Sequence, residues 1–317
     1  MVPPKQPSWV YVAGLGRSGS TLLGSLIAAR TGAFYCGELY LLWQRMLDGA
    51  RCECGAELGS CDVWATVAAD VHRELGKSPA EAAADLERLR RPVRDVRPPR
   101  PTASDVALRV ATERAIERVT GDAAVVDSSK IPDVLATAVA RDRPLLVVHL
   151  VRDPRAVAYS SLRLRTDPSN RDTPLRRRAA WRTAALWNRS NLLTETVVRA
   201  ARRRGEHATS VLVTYEALAT APDTLVEGLA RSLPQSATPP DGGWHHALAA
   251  NPSLYERPRP VVADRRWESG LSRRDALVTS LVAAPLLGRY GYTVRPARSR
   301  AEPGEVVAGG ERVDDAP

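Results

Sequence analysis

Lysine is almost missing from this 317-residue chain: of 45 basic residues only Lys5, Lys77 and Lys130 are lysines. The remainder is arginine, which suits planar, bidentate contact with phosphate and, at a net charge of +9, long-range attraction of anions. A genome rich in arginine and alanine codons would leave the same bias. Phenylalanine occurs once and aromatics make up 5%, too few for a base-stacking surface, so no nucleic-acid partner is expected. No apolar run is long enough to span a bilayer, and no signal-peptide pattern precedes Trp9. A cytoplasmic protein is the expectation. Cysteine is confined to Cys36, Cys52, Cys54 and Cys61. The Cys52-x-Cys54 spacing does not match the paired C-x₂-C of common zinc sites, so reduced thiols in a compact loop are expected ahead of zinc or a disulfide.

What is present begins at Trp9. The apolar run Trp9–Ala13 predicts a buried strand, glycines at 14, 16 and 19 predict a tight turn, and Ser20–Arg30 predicts a helix. Strand, glycine loop and helix N-terminus together make a phosphate cradle. Against the Walker pattern G-x-x-x-x-G-K-[ST], Gly14, Gly19 and Thr21 fit, but Ser20 stands where the lysine belongs. That lysine spans the β- and γ-phosphates of a triphosphate. A loop lacking it suits a single phosphate, with the cation moved back to Arg17.

Further along, Phe34–Trp43 reads as a short extended segment running into a helix, with Glu38 at the turn. The charged 76–104 stretch reads as an insertion or lid with a helix at Pro79–Arg91. A strand over Ala123–Lys130 ends in polar residues, and Pro132 opens the helix after it. The apolar run Pro144–Val151 is another strand, followed by Arg152 and by a helix carrying Ser160. Leu162–Arg178 reads as a mobile arginine-rich rim over the site, Ala179–Arg204 as a long helix, Ser210–Glu216 as a strand and Ser272–Tyr290 as the last helix. Strands alternating with helices argue for an α/β fold, a parallel sheet covered on both faces. A single domain over 1–295 is expected, with a disordered tail at 296–317.

Three stretches together bear a resemblance to the sulfotransferases that use 3′-phosphoadenosine 5′-phosphosulfate (PAPS). Gly14-Leu-Gly-Arg-Ser-Gly-Ser-Thr-Leu-Leu23 resembles their 5′-phosphate loop. Leu150-Val-Arg-Asp-Pro-Arg-Ala-Val-Ala-Tyr-Ser160 resembles their 3′-phosphate motif, with arginine and serine eight apart. Val125-Val-Asp-Ser-Ser-Lys130 is similar to a strand end of bacterial and carbohydrate-directed members. Cys36-Gly37-Glu38 is similar to the stretch holding the base of tyrosylprotein sulfotransferases.

The resemblance implies a P-loop NTPase-like sheet, PAPS as cofactor and a hydroxyl acceptor that is a small molecule, lipid or glycan. Glu38 is implied as base, with Arg17 and Lys130 stabilising the transferring group and the leaving phosphate. Gly16, Arg17, Ser18, Gly19, Ser20 and Thr21 would hold the 5′-phosphate, and Arg152 and Ser160 the 3′-phosphate. Tyr215 and either Arg257 or Arg259 are further nucleotide candidates, and no metal is implied. Trp43, Trp64, Arg163, Arg165 and the 76–104 stretch are candidates for the acceptor pocket. Two rivals remain: a P-loop kinase for a small metabolite, which would want a lysine at position 20, and a nucleotide-binding module without catalysis, which would have no use for Glu38.

Overall fold

A computed structural model describes residues 8–89, 95–121, 123–141, 143–163, 177–234, 246–248 and 261–293, together with the backbone of 165–167 and 170–175. The chain runs β1 (Trp9–Gly14), α1 (Ser20–Thr31), β2 (Phe34–Gly37), a 3₁₀ turn (Leu39–Leu41), α2 (Leu42–Leu47), α3 (Asp62–Leu75), α4 (Pro79–Leu89) and α5 (Ala103–Thr120). It continues with β3 (Val125–Lys130), α6 (Pro132–Val139), β4 (Leu145–Val151), α7 (Pro154–Leu162), β5 (Arg165–Asp167), β6 (Asn170–Leu175) and α8 (Ala180–Arg203). Then come β7 (Ala208–Thr214), α9 (Tyr215–Thr220), α10 (Pro222–Ala230), α11 (Trp267–Gly270) and α12 (Arg273–Leu287).

Five strands form one sheet in the order β2-β3-β1-β4-β7, and every neighbouring pair is parallel. β1 is central and alternates between the two faces. Trp9, Tyr11 and Ala13 enter an apolar cluster with residues of α3, α5 and α6, while Val10 and Val12 enter a second with α1 and α10. Burial on both faces explains why β1 reads as a continuous apolar run and not as an alternating one. With one phenylalanine to use, the core is built from tryptophan, leucine, valine and alanine. Trp9, Trp64 and Trp187 are fully buried, each contributing about 1.5–3 kcal/mol or more.

The chain leaves β1, forms β2 at one edge, returns as β3 beside β1, then crosses to β4 on the other side. The order therefore reverses at β1, and in such sheets the crevice beyond the strand carboxyl ends at the reversal is where ligands sit. A buried ion network supports this end from below. Arg109 donates to Glu113 at 2.5 Å and to Asp127 at 2.7 Å, and Arg141 also donates to Glu113. Both carboxylates press on Arg109 and raise its pKa despite its burial.

Within the 76–104 stretch α4 packs against the body of the protein: Ala82 is fully buried in the main apolar cluster, and Lys77 pairs with Asp85 at 2.8 Å. The stretch after α7 contains an antiparallel hairpin, β5–β6, where a turn-rich rim was expected. Its arginines, aspartates and Pro174 conceal the strand period. Among the described residues no helix is long and apolar enough to cross a membrane.

Candidate active site

The turn after β2 and the polar end of β3 are stitched together residue by residue. Ser128 donates through Oγ to the Gly37 carbonyl at 3.1 Å. Asp127 Oδ1 accepts from the backbone N–H of Leu39 at 3.4 Å and from the N–H of Ser129 at 2.8 Å. Ser129 Oγ accepts from the Tyr40 N–H at 3.1 Å. Lys130 Nζ donates to Glu38 Oε1 at 2.5 Å, a pair whose side chains are 11% and 15% exposed. Asp127 is itself anchored by Arg109, so the buried network sets the turn and the turn sets Glu38.

The loop that follows β1 is held as firmly. Ser190 of α8 donates to the Gly14 carbonyl at 2.6 Å, and Arg152, just past β4, donates to the Arg17 carbonyl at 3.1 Å. Gly19 has φ +94°, and a Cβ there would lie 2.7 Å from the Tyr215 ring, so glycine is required on both counts. Among the described residues two non-glycines have left-handed backbone, Arg17 at φ +76° and Lys130 at φ +69°. Both were named from sequence as catalytic, and strained backbone of this kind is found where surrounding structure over-determines a functional residue. Arg17→Gly is therefore expected to unfold about 1 kcal/mol harder than Arg17→Ala in urea denaturation. Equal midpoints would show that position 17 is not left-handed in solution.

These elements surround a cavity of about 540 Å³ that takes in Gly14–Arg17, Gly19–Thr21, Glu38, Ser129, Lys130 and Ser160. Six basic side chains line it (Arg17, Arg45, Lys130, Arg163, Arg178 and Arg189) against two acidic ones, Glu38 and Asp133. The balance suits an anionic ligand. The helix N-terminus adds to it, since the first turn of α1 carries no acidic residue.

Among solved structures, the chain is similar to the sulfotransferase domain from the Synechococcus PCC 7002 olefin synthase, at 18% identity and TM-score 0.46 over 90% of this chain and 96% of that one. It is also similar to the sulfotransferase domain from the curacin biosynthetic pathway, at 15% identity and TM-score 0.43 over 91% and 100%. No family model matches the chain, and no curated protein does.

The sequence-named residues are not all in one place. Glu38, Arg17, Lys130, Gly16, Gly19, Ser20, Thr21 and Ser160 line the cavity. Arg152 sits behind the loop, its guanidinium 4.1 Å from the centre of the Tyr215 ring and within 3.4 Å of the Asp264 carboxylate. Tyr215 accordingly works as a platform beneath Arg152 and against Gly19. The Arg266 guanidinium, with help from Arg152, holds the Asp264 carboxyl well below the usual range. Ser18 and Arg152 each bury a polar atom, Oγ and Nε, with no partner among the described residues. Trp43 and Trp64 belong to the apolar core and do not line the cavity, whereas Arg163 does. Arg257, Arg259 and the 296–317 tail lie outside the described residues, as does the Arg165 side chain.

Sequence reasoning missed Arg45, Arg178, Arg189 and Ser190 in the cavity wall and Asp264 beside Arg152. In a chain where arginine is everywhere, no local signal separates a wall arginine from a solvated one. His149 is no rival base. It is buried, its Nε2–H donates to Asn191 Oδ1 at 2.9 Å, and burial pushes its imidazole pKa down.

Proposed function

We propose that this protein is a PAPS-dependent O-sulfotransferase acting on a small-molecule, lipid or glycan hydroxyl. The observation that carries the proposal is the Glu38–Lys130 pair, which lines the same cation-rich cavity as a glycine loop without the Walker lysine. The fit to the nucleotide is local. The Gly16–Thr21 loop runs into the N-terminus of α1, where free backbone N–H groups suit a phosphate, and the orphaned Ser18 Oγ and Arg152 Nε are donors that an anion would satisfy. When bound, PAPS supplies the sulfuryl group and carries it off a single 5′-phosphate.

The Gly16–Thr21 loop seats the 5′-phosphate, and Arg17 offsets charge on the group attached to it. Ser160 meets the 3′-phosphate from α7, and Arg152 meets it from behind the loop while holding the Arg17 carbonyl. Glu38 accepts the proton of the acceptor hydroxyl as the oxygen attacks in line. Protonation of Glu38 removes the anionic partner of Lys130, whose ammonium then faces the negative charge gathering on the leaving oxygen. No step calls on magnesium.

The direct test is transfer of radiolabelled sulfur from PAPS to hydroxyl acceptors drawn from the three classes, with and without magnesium. Product formation independent of added magnesium supports the proposal; a magnesium-dependent transfer from ATP instead would support the kinase. For the nucleotide, Arg152→Ala is expected to weaken adenosine 3′,5′-bisphosphate by about one to two orders of magnitude, a charged hydrogen bond being worth roughly 1.5–3 kcal/mol. AMP should lose less, because only the prop under Arg17 is removed. Equal losses measured by calorimetry would withdraw the 3′-phosphate role.

A further inference from the structure

Away from the cavity, four soft or borderline donors converge. Cys52 Sγ, Cys54 Sγ, Cys61 Sγ and a ring nitrogen of His246 all lie within 4.8 Å of one another. Cys54 Sγ is 3.8 Å from Cys61 Sγ, and His246 Nδ1 is 3.3 Å from Cys61 Sγ and 3.8 Å from Cys52 Sγ. A tetrahedral zinc ion, with Zn–S near 2.3 Å and Zn–N near 2.0–2.1 Å, has donor–donor edges of about 3.8 Å between sulfurs and about 3.5 Å between sulfur and nitrogen. The Cys54–Cys61 edge matches such a tetrahedron, the two His246 edges lie within about 0.3 Å of it, and the remaining edges are within 4.8 Å. At 3.8 Å the Cys54 and Cys61 sulfurs are too far apart for a disulfide.

The local structure presents the donors from three directions. Residues 50–58 form a tight hairpin: Arg51 bridges Glu57, the Cys52 N–H bonds the Ala56 carbonyl at 2.8 Å and the Gly55 N–H bonds the Cys52 carbonyl at 2.9 Å. The turn brings Cys52 and Cys54 to one side. Cys61 is the N-cap of α3 and makes no capping bond with its side chain. His246 arrives from 185 residues away in sequence.

We propose that Cys52, Cys54, Cys61 and His246 form a structural zinc site. Four protein donors close the coordination shell, which is the arrangement of a structural and not a catalytic zinc. Binding takes the three thiols as thiolates and releases their protons to solvent. What the metal fastens is specific. Glu53, between two ligands, exchanges backbone and carboxylate bonds with Ala247, accepting at Oε2 from the Ala247 N–H at 3.2 Å and donating its own N–H to the Ala247 carbonyl at 3.3 Å. Trp64 Nε1 donates to the His246 carbonyl at 2.7 Å. The Leu248 N–H then bonds the Cys36 carbonyl at 3.0 Å, and Leu248 bridges Gly37. Gly37 has φ +74°, with room for no Cβ beside the Leu248 carbonyl at 2.4 Å. The zinc therefore clamps segment 246–248 against the residue preceding Glu38. That last consequence rests on the sulfotransferase reading; the metal site does not.

The test uses the full chain purified under reducing conditions without a polyhistidine tag. Elemental analysis is expected to find one zinc per chain. Replacement by cobalt(II) should give the intense visible bands of tetrahedral cobalt with thiolate charge transfer. Cys54→Ser, at the exposed ligand, should weaken metal binding by more than the roughly 10–100-fold of an outer-shell change. His246→Ala should weaken metal binding and shift the ligand-field bands of cobalt, and His246→Cys should restore the affinity. Folded wild-type protein that carries no zinc and gives no thiolate–cobalt bands overturns the proposal, whatever the variants do. So does a Cys54→Ser protein with undiminished metal affinity. Neither readout involves a nucleotide, so failure of the sulfotransferase reading leaves the metal result standing, and the reverse holds.

Discussion

Glu38→Gln is expected to slow turnover by about 10²–10⁴-fold, the range for losing a positioned general base, and to leave adenosine 3′,5′-bisphosphate affinity nearly unchanged. The amide keeps the size of the carboxylate and still offers an oxygen to Lys130, but it cannot take the acceptor proton. The turn itself should not move, because Gly37, Leu39 and Tyr40 are held through their backbone by Ser128, Asp127 and Ser129 and not through the Glu38 side chain. Rates come from single turnovers at saturating nucleotide, and affinity from calorimetry. An unchanged rate removes Glu38 from the base role; a lost nucleotide affinity means the carboxylate serves the fold of the cavity instead.

Lys130→Met is expected to cost about 10²–10³-fold in turnover, the usual penalty for removing one donor to developing charge. Because Lys130 and Glu38 are joined at 2.5 Å, they should behave as a unit. The Glu38→Gln/Lys130→Met double variant is expected to be little worse than the poorer single variant, since groups acting on one step lose their effect together. Losses that multiply would mean the two side chains act independently, against the proton-coupled release of Lys130.

The glycine loop and the Asp127–Lys130 strand end were legible in the sequence because each is local: a strand running into a turn, readable within a dozen residues. Parallel strands that bury both faces declare themselves as apolar runs. What could not be read was anything joined across the sheet. The Glu38–Lys130 contact spans 92 residues, and only the β2-β3 pairing brings it about. The cysteine cluster failed the usual spacing rule because one residue and not two separates Cys52 from Cys54, and its fourth donor, His246, lies 185 residues from Cys61, beyond any local pattern. Trp43 and Trp64 looked like pocket walls because tryptophan near a site often is one; here the small core needs them for volume. Arg152 was placed with Ser160 by spacing, yet the fold turns its guanidinium onto Tyr215 and the Arg17 carbonyl. Spacing shows which edge a residue reaches, and packing decides where it points.

The central claim is a cradle for one phosphate, with Arg17 in place of the Walker lysine and Arg152 behind it. Calorimetric titration of the wild-type protein with adenosine 3′,5′-bisphosphate, and separately with magnesium ATP, tests it most directly. The bisphosphate is expected to bind at least about tenfold more tightly, a difference of about 1.4 kcal/mol. Binding of ATP with none of the bisphosphate would contradict it.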